Sequence, residues 1–269
     1  MINGKYYAID AHCHIYPDKI ALKAAGATDK FYDVSSFGDG TVGMLVKEGG
    51  KSGIDRFIVQ SVATTPKQVA SINRFIAASA ADSNGKLIGL GTLHPDSENM
   101  EADVQEIIDL GLHGVKLHPD IQGFKIDDYR CLKIYELCEK AGLPILMHTG
   151  DYRYDNSNPN RLVPILEIYT ELTIIGAHFG GWSIWEEASK KLAHIPNLYV
   201  DCSSSMGWLS NEKTVEIIRR YGADRVLFGT DYPMWSPYDE IKKFMSLGLT
   251  DEENKLILSE NAKKVFKLQ

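Results

Sequence analysis

Near its N-terminus the chain reads Ile9-Asp10-Ala11-His12-Cys13-His14, and the strand-forming residues Tyr6 to Ile9 lead into this stretch. Side chains two positions apart on a strand point to the same face, so we expect His12 and His14 to project side by side from the strand end. Two neutral imidazoles held in this way form half of a divalent metal site. The alternative is two unrelated histidines, one buried and one solvated.

Seven further apolar runs alternate with segments of helical periodicity along the rest of the chain. These runs predict strands over 56–62, 87–92, 114–118, 144–148, 173–178, 198–201 and 225–229. The predicted helices cover 41–51, 67–81, 97–110 with Ser97 as N-cap, 128–141, 161–170, 183–193 and 211–221, with two or three more at the C-terminus.

Eight strand–helix units predict an α/β fold with a parallel sheet, closed as a (β/α)₈ TIM barrel that forms one domain over residues 1–269. An open doubly wound sheet is the alternative. It calls for a glycine-rich phosphate loop after a strand, and neither GxGxxG nor GxxxxGK[ST] occurs. Residues 17–40 lack a helical pattern and predict a loop over the barrel mouth.

The bulk composition is that of an ordinary enzyme, with 44% apolar and 24% charged residues among 269. The net charge of -7 argues against a nucleic-acid partner. The four cysteines contain no CxxC pair and predict reduced thiols, and neither a leader peptide nor a membrane span is recognisable. We therefore expect a cytoplasmic protein with a small-molecule substrate and, by default, a homodimeric state.

Six of the eight histidines fall at the predicted carboxyl ends of strands, which is where barrels of this kind carry their active sites. Because parallel strands all end at the same side of the barrel, these side chains should lie close together. The polar residues at the predicted strand ends are His12, His14, His94, Lys116, His118, His148, His178, Asp201 and Asp231.

Four motifs in this pattern resemble the amidohydrolase superfamily: the paired His12 and His14, MHTG at His148, GAHFGG at His178 and GTDYP at Asp231. The likeness is greatest to the amidohydrolase-2 branch, which includes the aminocarboxymuconate-semialdehyde decarboxylase-like enzymes. The resemblance implies that one Zn²⁺ per chain is held by His12, His14, His148 and Asp231, with Mn²⁺, Co²⁺ or a second metal as alternatives. Three imidazoles and one carboxylate suit such an ion and leave a position open for water.

The same resemblance implies catalytic roles for Asp231 and His178, one of which takes a proton from a metal-activated water and returns it to the leaving group. In binuclear relatives the position of His178 binds a second metal instead. The strand-four lysine, here Lys116, is carboxylated and bridges two metals in some members of the superfamily. The simpler alternative is a cation that pairs with a carboxylate of the substrate.

Substrate selection is expected from the strand ends and the loops that follow them. Arg153 would clamp a carboxylate bidentately, unless Asp151 or Asp155 ties it down as a structural residue. Three aromatic side chains that follow site residues, Trp182, Tyr232 and Trp235, would wall a planar substrate, or else simply pack within their loops. The predicted substrate-binding residues are Arg153, Lys116, His118, Trp182 and Tyr232.

The leading hypothesis is a metal-dependent hydrolase acting on an amide, lactone or related bond of a small carboxylated substrate. The alternative keeps the site but removes CO₂ non-oxidatively from an aromatic or unsaturated acid. A TatD-like nuclease is less favoured, because such enzymes carry a glutamate where Lys116 stands and need a basic groove. A non-catalytic metal-stabilised protein is disfavoured because structural zinc sites are closed by Cys and His, and Cys13 should point away from the histidines.

Overall fold

The computed structural model describes residues 1–269 and contains nine short parallel strand segments that fill eight positions of a barrel. Two of the segments, β3 and β4, are halves of one strand that is interrupted at Leu90. The strands are β1 (Ile9–His14), β2 (Arg56–Gln60), β3 (Leu87–Gly89), β4 (Gly91–Thr92), β5 (Val115–Leu117), β6 (Ile145–Met147), β7 (Ile174–Gly176), β8 (Leu198–Asp201) and β9 (Val226–Leu227).

The barrel closes between its first and last strands. β1 to β3 pair in chain order, as do β4 to β9. Between β9 and β1 the Ala11 N–H donates to the Phe228 carbonyl at 2.8 Å, and the Asp231 N–H donates to the His12 carbonyl at 2.8 Å. The predicted (β/α)₈ fold is confirmed, and its closure places Asp231 directly beside the first strand.

The helices occupy the connections between strands and the C-terminal end of the chain. None of them combines the length and the apolar character needed to cross a lipid bilayer. They are α1 (Asp18–Tyr32), α2 (Val42–Lys51), α3 (Val69–Ala81), α4 (Met100–Asp109), α5 (Pro119–Gln122), α6 (Leu132–Ala141), α7 (Leu162–Ile168), α8 (Trp185–Leu192), α9 (Asn211–Tyr221), α10 (Pro237–Met245), α11 (Asp251–Lys255) and α12 (Asn261–Val265), with a π-helical turn at Leu256–Glu260.

Two layers of apolar side chains form the core. A cluster of 50 buried residues packs between the strands and the surrounding helices. A second cluster of 13 fills the barrel interior, where Ala262, Val265 and Phe266 at the end of the chain pack against side chains from the strands. Because the interior is filled in this way, it is a packed core and not a pore, and a ligand has access at the carboxyl ends of the strands.

The first strand contains a bulge that sets the direction of both N-terminal histidines. Asp10 pairs with Phe57 whereas Cys13 pairs with Val59, so β1 has one residue more than β2 over this interval. Ala11 lies in the interior cluster and Cys13 in the outer layer. The pleat is therefore shifted between these residues, and Cys13 faces away from the site as predicted.

Two local predictions were wrong. Residues 17–40 contain the 15-residue helix α1, where a loop was predicted. Only Ala21 and Ala25 of this helix are buried, so it lacks the apolar stripe by which helices are recognised. Helix α4 is capped by Asn99 and not by Ser97, since the Asn99 side chain accepts the Ala102 N–H at 3.1 Å.

Candidate active site

A cavity of about 860 Å³ opens at the carboxyl ends of the strands and contains most of the predicted site residues. Its base, which we call the polar floor, is formed by His12, His14, Lys116, His118, His148, His178 and Asp231. Trp182 and Tyr32 belong to the same lining, whereas Arg153, Tyr232 and His94 do not.

Three side chains of the polar floor converge on one point. His12 Nε2 lies 3.2 Å from His14 Nε2, and the Asp231 Oδ1 atom lies 3.3 Å and 3.5 Å from these two nitrogens. Ligand atoms bound to one ion at 2.0–2.2 Å are separated by about 2.8–3.6 Å, depending on geometry. The spacing of these three atoms therefore fits a donor set for a divalent metal.

Neighbouring groups fix the orientation of His12 and Asp231 within this set. Asp201 Oδ2 lies 2.9 Å from His12 Nδ1, so the Nδ1–H donates to it and leaves the Nε2 lone pair facing the pocket. Burial, together with the charge of Lys116, lowers the pKa of His12 to about 4, which keeps the imidazole neutral. The Ser204 hydroxyl donates to Asp231 Oδ2 at 2.6 Å, which leaves Oδ1 free for the histidines.

Asp10 ties the first strand to the turn that carries Asp231. Its Oδ1 atom accepts the backbone N–H of His12 at 3.1 Å and that of Thr230 at 2.9 Å. Its Oδ2 atom accepts the Thr230 hydroxyl at 2.6 Å. Asp10 was not assigned a role from the sequence, although it belongs to the opening motif. The sequence places Asp201 at a strand end but indicates no role for it.

His178 is held by the loop after β8. Its Nδ1 atom lies 3.0 Å from the Ser203 carbonyl, so Nδ1–H donates there and Nε2 faces His148 Nδ1 at 3.2 Å. Both His178 and Asp231 have positive φ angles, +58° and +62°, a region that costs non-glycine residues energy. Strain retained at two polar strand-end residues is typical of functional sites.

His148 lies in a second group of polar side chains and not within the cluster formed by His12, His14 and Asp231. Its ring stacks on His118 at 4.0 Å between centroids, and both Nε2 atoms approach the Tyr32 hydroxyl, at 3.2 Å and 2.8 Å. Asp120 Oδ2 is 3.7 Å from His148 Nε2. The role of His148 as the fourth ligand therefore stays a prediction, and sequence reasoning missed Tyr32 because it lies on the unpredicted helix α1.

Lys116 is fully buried next to the converging donors. Its ammonium donates to His12 Nε2 at 3.1 Å, and no carboxylate lies within ion-pair distance of it. Burial lowers the pKa of Lys116 to about 8, although Asp231 and Asp201 favour the charged form. The structure thus brings Lys116 to the position where a group bound beside His12 would meet it.

Two of the predicted substrate-binding residues lie outside the pocket. Arg153 forms a bidentate pair with Asp151, at 3.0 Å and 2.7 Å, and its Nη1 donates to the Phe31 carbonyl at 3.1 Å. Arg153 is therefore paired with a neighbouring aspartate, which is the structural alternative. Through Phe31 it links this loop to the C-terminus of α1. Tyr232 is wholly buried, and its hydroxyl donates to the Thr41 carbonyl at 3.1 Å. Its side chain is therefore directed away from the pocket.

Trp182 faces the cavity as expected, with its ring edge-on to Tyr32 at 5.4 Å between centroids. Together the two rings form an aromatic wall beside the polar floor. His118 also lies in the floor, but its Nε2 is engaged by the Tyr32 hydroxyl. Contact of these residues with a substrate stays a prediction.

The fold and the clustered histidines and aspartates define a (β/α)₈ barrel protein with a polar centre at its carboxyl end. A sequence profile of the amidohydrolase family matches residues 9–268. The chain therefore belongs to the amidohydrolase family, in the amidohydrolase-2 branch. This match confirms the resemblance recognised from the motifs and, with it, the prediction of an enzyme.

Similar proteins of known name include several decarboxylases. A 2-amino-3-carboxymuconate-6-semialdehyde decarboxylase from Dictyostelium discoideum is 30% identical over 117 residues, which cover 41% of this chain and 32% of that protein. An uncharacterised TIM-barrel protein from Bordetella bronchiseptica has a TM-score of 0.81 at 22% identity, over 97% of this chain and 99% of that one.

A dihydroxybenzoic acid decarboxylase from Polaromonas, solved with manganese and the inhibitor 2-nitroresorcinol, has a TM-score of 0.75 at 17% identity, over 98% and 97% of the two chains. At these identities the structural matches establish the barrel fold. The single-domain organisation, the homodimer and the cytoplasmic location stay predictions.

Proposed function

We propose that this chain is a metal-dependent decarboxylase that removes CO₂ non-oxidatively from a small aromatic or unsaturated carboxylic acid. The observation that carries the proposal is the buried ammonium of Lys116 beside the converging donors, which has His12 Nε2 as its acceptor. When a cation occupies that nitrogen, Lys116 loses its acceptor and faces a second positive charge. A buried ammonium in that position calls for an anionic partner.

His12, His14 and Asp231 would hold the metal, with His148 completing the set as the family resemblance implies. Zn²⁺ is the ion expected from the sequence, and Mn²⁺ is the alternative favoured by the structurally similar decarboxylase that contains it. When bound, such an ion supplies Lewis-acid polarisation of the oxygen atoms next to the bond that breaks.

The side chains of the floor have distinct tasks in this reaction. Lys116 binds the departing carboxylate, and Trp182 and Tyr32 hold the planar body of the acid. As the bond to the carboxylate carbon breaks, its electron pair stays on the ring or alkene carbon and CO₂ leaves. A proton taken up from solvent and held at His178 Nε2 then adds to that carbon, so that the acid is replaced by the corresponding C–H compound.

Hydrolysis of a carboxylated amide or lactone is the second candidate, supported by the amidohydrolase profile across residues 9–268. It uses the same donors, with His178 or Asp231 accepting a proton from water. The decarboxylase is preferred because the named relatives similar to this chain include decarboxylases of carboxylated muconate and benzoate compounds.

The test is to load the protein with Zn²⁺ or Mn²⁺, incubate it with 2,6-dihydroxybenzoate and related hydroxylated or unsaturated acids, and measure CO₂. We expect metal-dependent CO₂ release in proportion to acid consumed. Lys116→Met should lower kcat/KM by about 10²-fold or more, because an interaction with a buried charge is lost. Lys133→Ala, which removes an exposed lysine paired with Glu101, is the matched control and should leave kcat/KM unchanged.

Cleavage of lactones or amides without CO₂ release would replace the decarboxylase with the hydrolase. If the acids are consumed equally well by the Lys116→Met variant, the proposed carboxylate site is wrong.

A further inference from the structure

The cavity continues beyond the polar floor as a channel between α1 and α3. Its apolar lining residues are Ile20, Ala24 and Ala27 from α1 and Ile72 and Phe75 from α3, and the polar residues Lys19, Lys23, Gln68 and Ser71 contribute to the same lining. We call this part the apolar groove. It belongs to the same continuous cavity as His12 and Asp231, so a molecule bound at the floor can extend into it without leaving the pocket.

The length of the apolar groove follows from helix geometry. Tyr32, at the C-terminal end of α1, contacts His118 and His148 of the floor, and Ile20 lies twelve residues earlier on the same helix. At 1.5 Å per residue, the lining therefore extends about 18 Å from the floor. Ile20, Ala24 and Ala27 are spaced by four and three residues, which places them along one face of α1.

The cavity is larger than a single-ring acid requires. Such an acid has about eleven non-hydrogen atoms, whereas cavities of roughly 300–1,000 Å³ accommodate drug-sized molecules. The volume of about 860 Å³ lies near the upper end of this range. The lining outside the floor includes the apolar side chains of Ile20, Ala24, Ala27, Ile72 and Phe75 together with Lys19, Lys23, Gln68 and Ser71, and it contains no carboxylate and no imidazole.

We propose that the substrate is amphipathic, with its carboxylated head at the polar floor and an apolar arm of several carbons in the groove between α1 and α3. This inference rests on the proposed function for the chemistry of the head, and it adds the class of molecule to which the head belongs. Ile20 is 45% exposed, so the groove has apolar surface that an arm would remove from water.

The inward course of the cavity favours a substrate arm over a second copy of the chain as the occupant. A protein partner would cover the outer surface of α1 as well. The apolar lining instead runs inward to Phe31 and Tyr32, next to the polar floor. Leu22, on the outer side of the same helix, is 75% exposed and lies outside the cavity lining. It therefore provides a matched control position.

The experiment measures binding of 2-hydroxybenzoates that carry a straight 4-alkyl chain, from no alkyl group to hexyl, to the Mn²⁺-loaded protein. Quenching of tryptophan fluorescence reports binding, because Trp182, Trp208 and Trp235 line the cavity. Each methylene that enters the groove is expected to tighten Kd about fourfold, since burial of one methylene contributes about 0.8 kcal/mol.

Ala24→Trp is expected to fill the groove, so that the ratio of Kd between the unsubstituted and the hexyl compound falls to about one. Leu22→Trp adds the same side chain on the outer side of α1 and should keep the full dependence on chain length. The ratio is measured within each variant, so a partly unfolded preparation cannot imitate the effect.

A constant Kd along the series in the wild-type protein, with the unsubstituted acid still bound, would overturn the amphipathic substrate and leave the proposed function standing. Failure of every acid to bind the metal-loaded protein would instead overturn the proposed function. A dimer that Ala24→Trp converts to a monomer, measured by light scattering, would show that a second copy fills the groove and would also overturn the inference.

Discussion

Replacement of Asp201 by Asn tests the metal centre through a residue that is not itself a proposed ligand. Asp201 Oδ2 accepts the Nδ1–H of His12 at 2.9 Å, while Oδ1 accepts the backbone N–H groups of His178 and Ser203 at 3.1 Å and 3.0 Å. An asparagine can preserve the Oδ1 contacts, which places its NH₂ group where Oδ2 was. Two donors then face each other, and His12 has to adopt the tautomer with the proton on Nε2.

This change removes the lone pair that faces His14 and Asp231. Loss of the partner that orients a metal-bound histidine typically weakens metal affinity 10–100-fold, or about 1.4–2.7 kcal/mol. The upper part of this range is expected here, because His12 and Asp201 are both fully buried and water cannot replace the lost acceptor. Burial opposes ionisation of Asp201, but His12, His178 and Ser203 hold its pKa below the ordinary value, so the carboxylate is charged at neutral pH.

The assay is competition for Zn²⁺ or Mn²⁺ between the protein and a chromophoric chelator of known affinity, with circular dichroism to verify folding. Asp10→Asn is the matched control, since Asp10 contacts the backbone of His12 and not its ring. We expect this control to retain wild-type affinity within about threefold. A folded Asp201→Asn protein that binds metal as tightly as the wild type would refute the tautomer argument.

Two further predictions concern the scaffold. Arg153→Ala removes the hydrogen bonds that link Asp151 to the end of α1. It should lower the free energy of unfolding by about 1–2 kcal/mol, and therefore Tm by about 2–8 °C. Hydrogen exchange in α1 should become faster. Arg74→Ala, which removes an exposed arginine paired with Glu106, is the control. Equal losses of stability in the two variants would argue against a special role of Arg153 in holding α1.

Glu240 is buried with an unpartnered Oε2, and burial raises its pKa, so its stabilising contribution is complete below about pH 4.5 and is lost as the pH rises through the raised value. Glu240→Gln should therefore raise the urea midpoint at pH 7 but not at pH 4, and a gain of the same size at both values would contradict this account.

The barrel and the convergence of its strand ends could be predicted because both follow from local rules. Each strand is a short apolar run followed by a helical segment, and a closed parallel barrel brings all its carboxyl ends together. The proximity of Asp231 to His12 and His14, which lie at the other end of the chain, needs nothing more than this topology. The bulge in β1 could not be predicted, because it depends on how β1 pairs with β2 and leaves no mark in the alternation of residues.

The partners of polar side chains were harder to predict. The sequence leaves two alternative partners for Arg153, a substrate carboxylate or a neighbouring aspartate. In the structure, the conformation of the loop after β6 brings Asp151 into contact with the Arg153 guanidinium. Tyr232 follows Asp231 directly and was therefore expected in the pocket. Asp231 has a positive φ angle of +62°, so the direction of the next side chain does not follow from strand alternation, and Tyr232 points toward Thr41 instead.

The largest error concerns α1, and its cause links the fold to the proposed substrate. A helix is recognised in sequence by an apolar stripe that packs on a core, and in α1 only Ala21 and Ala25 are buried in this way. Four further small or apolar residues, Ile20, Ala24, Ala27 and Phe31, line the cavity, and Leu22 is exposed on the outer side. The apolar residues of α1 therefore serve two surfaces and produce no single periodic signal. Where a segment departs from the pattern that packing alone would impose, ligand contact is the competing requirement, and in this barrel that departure coincides with the wall of the apolar groove.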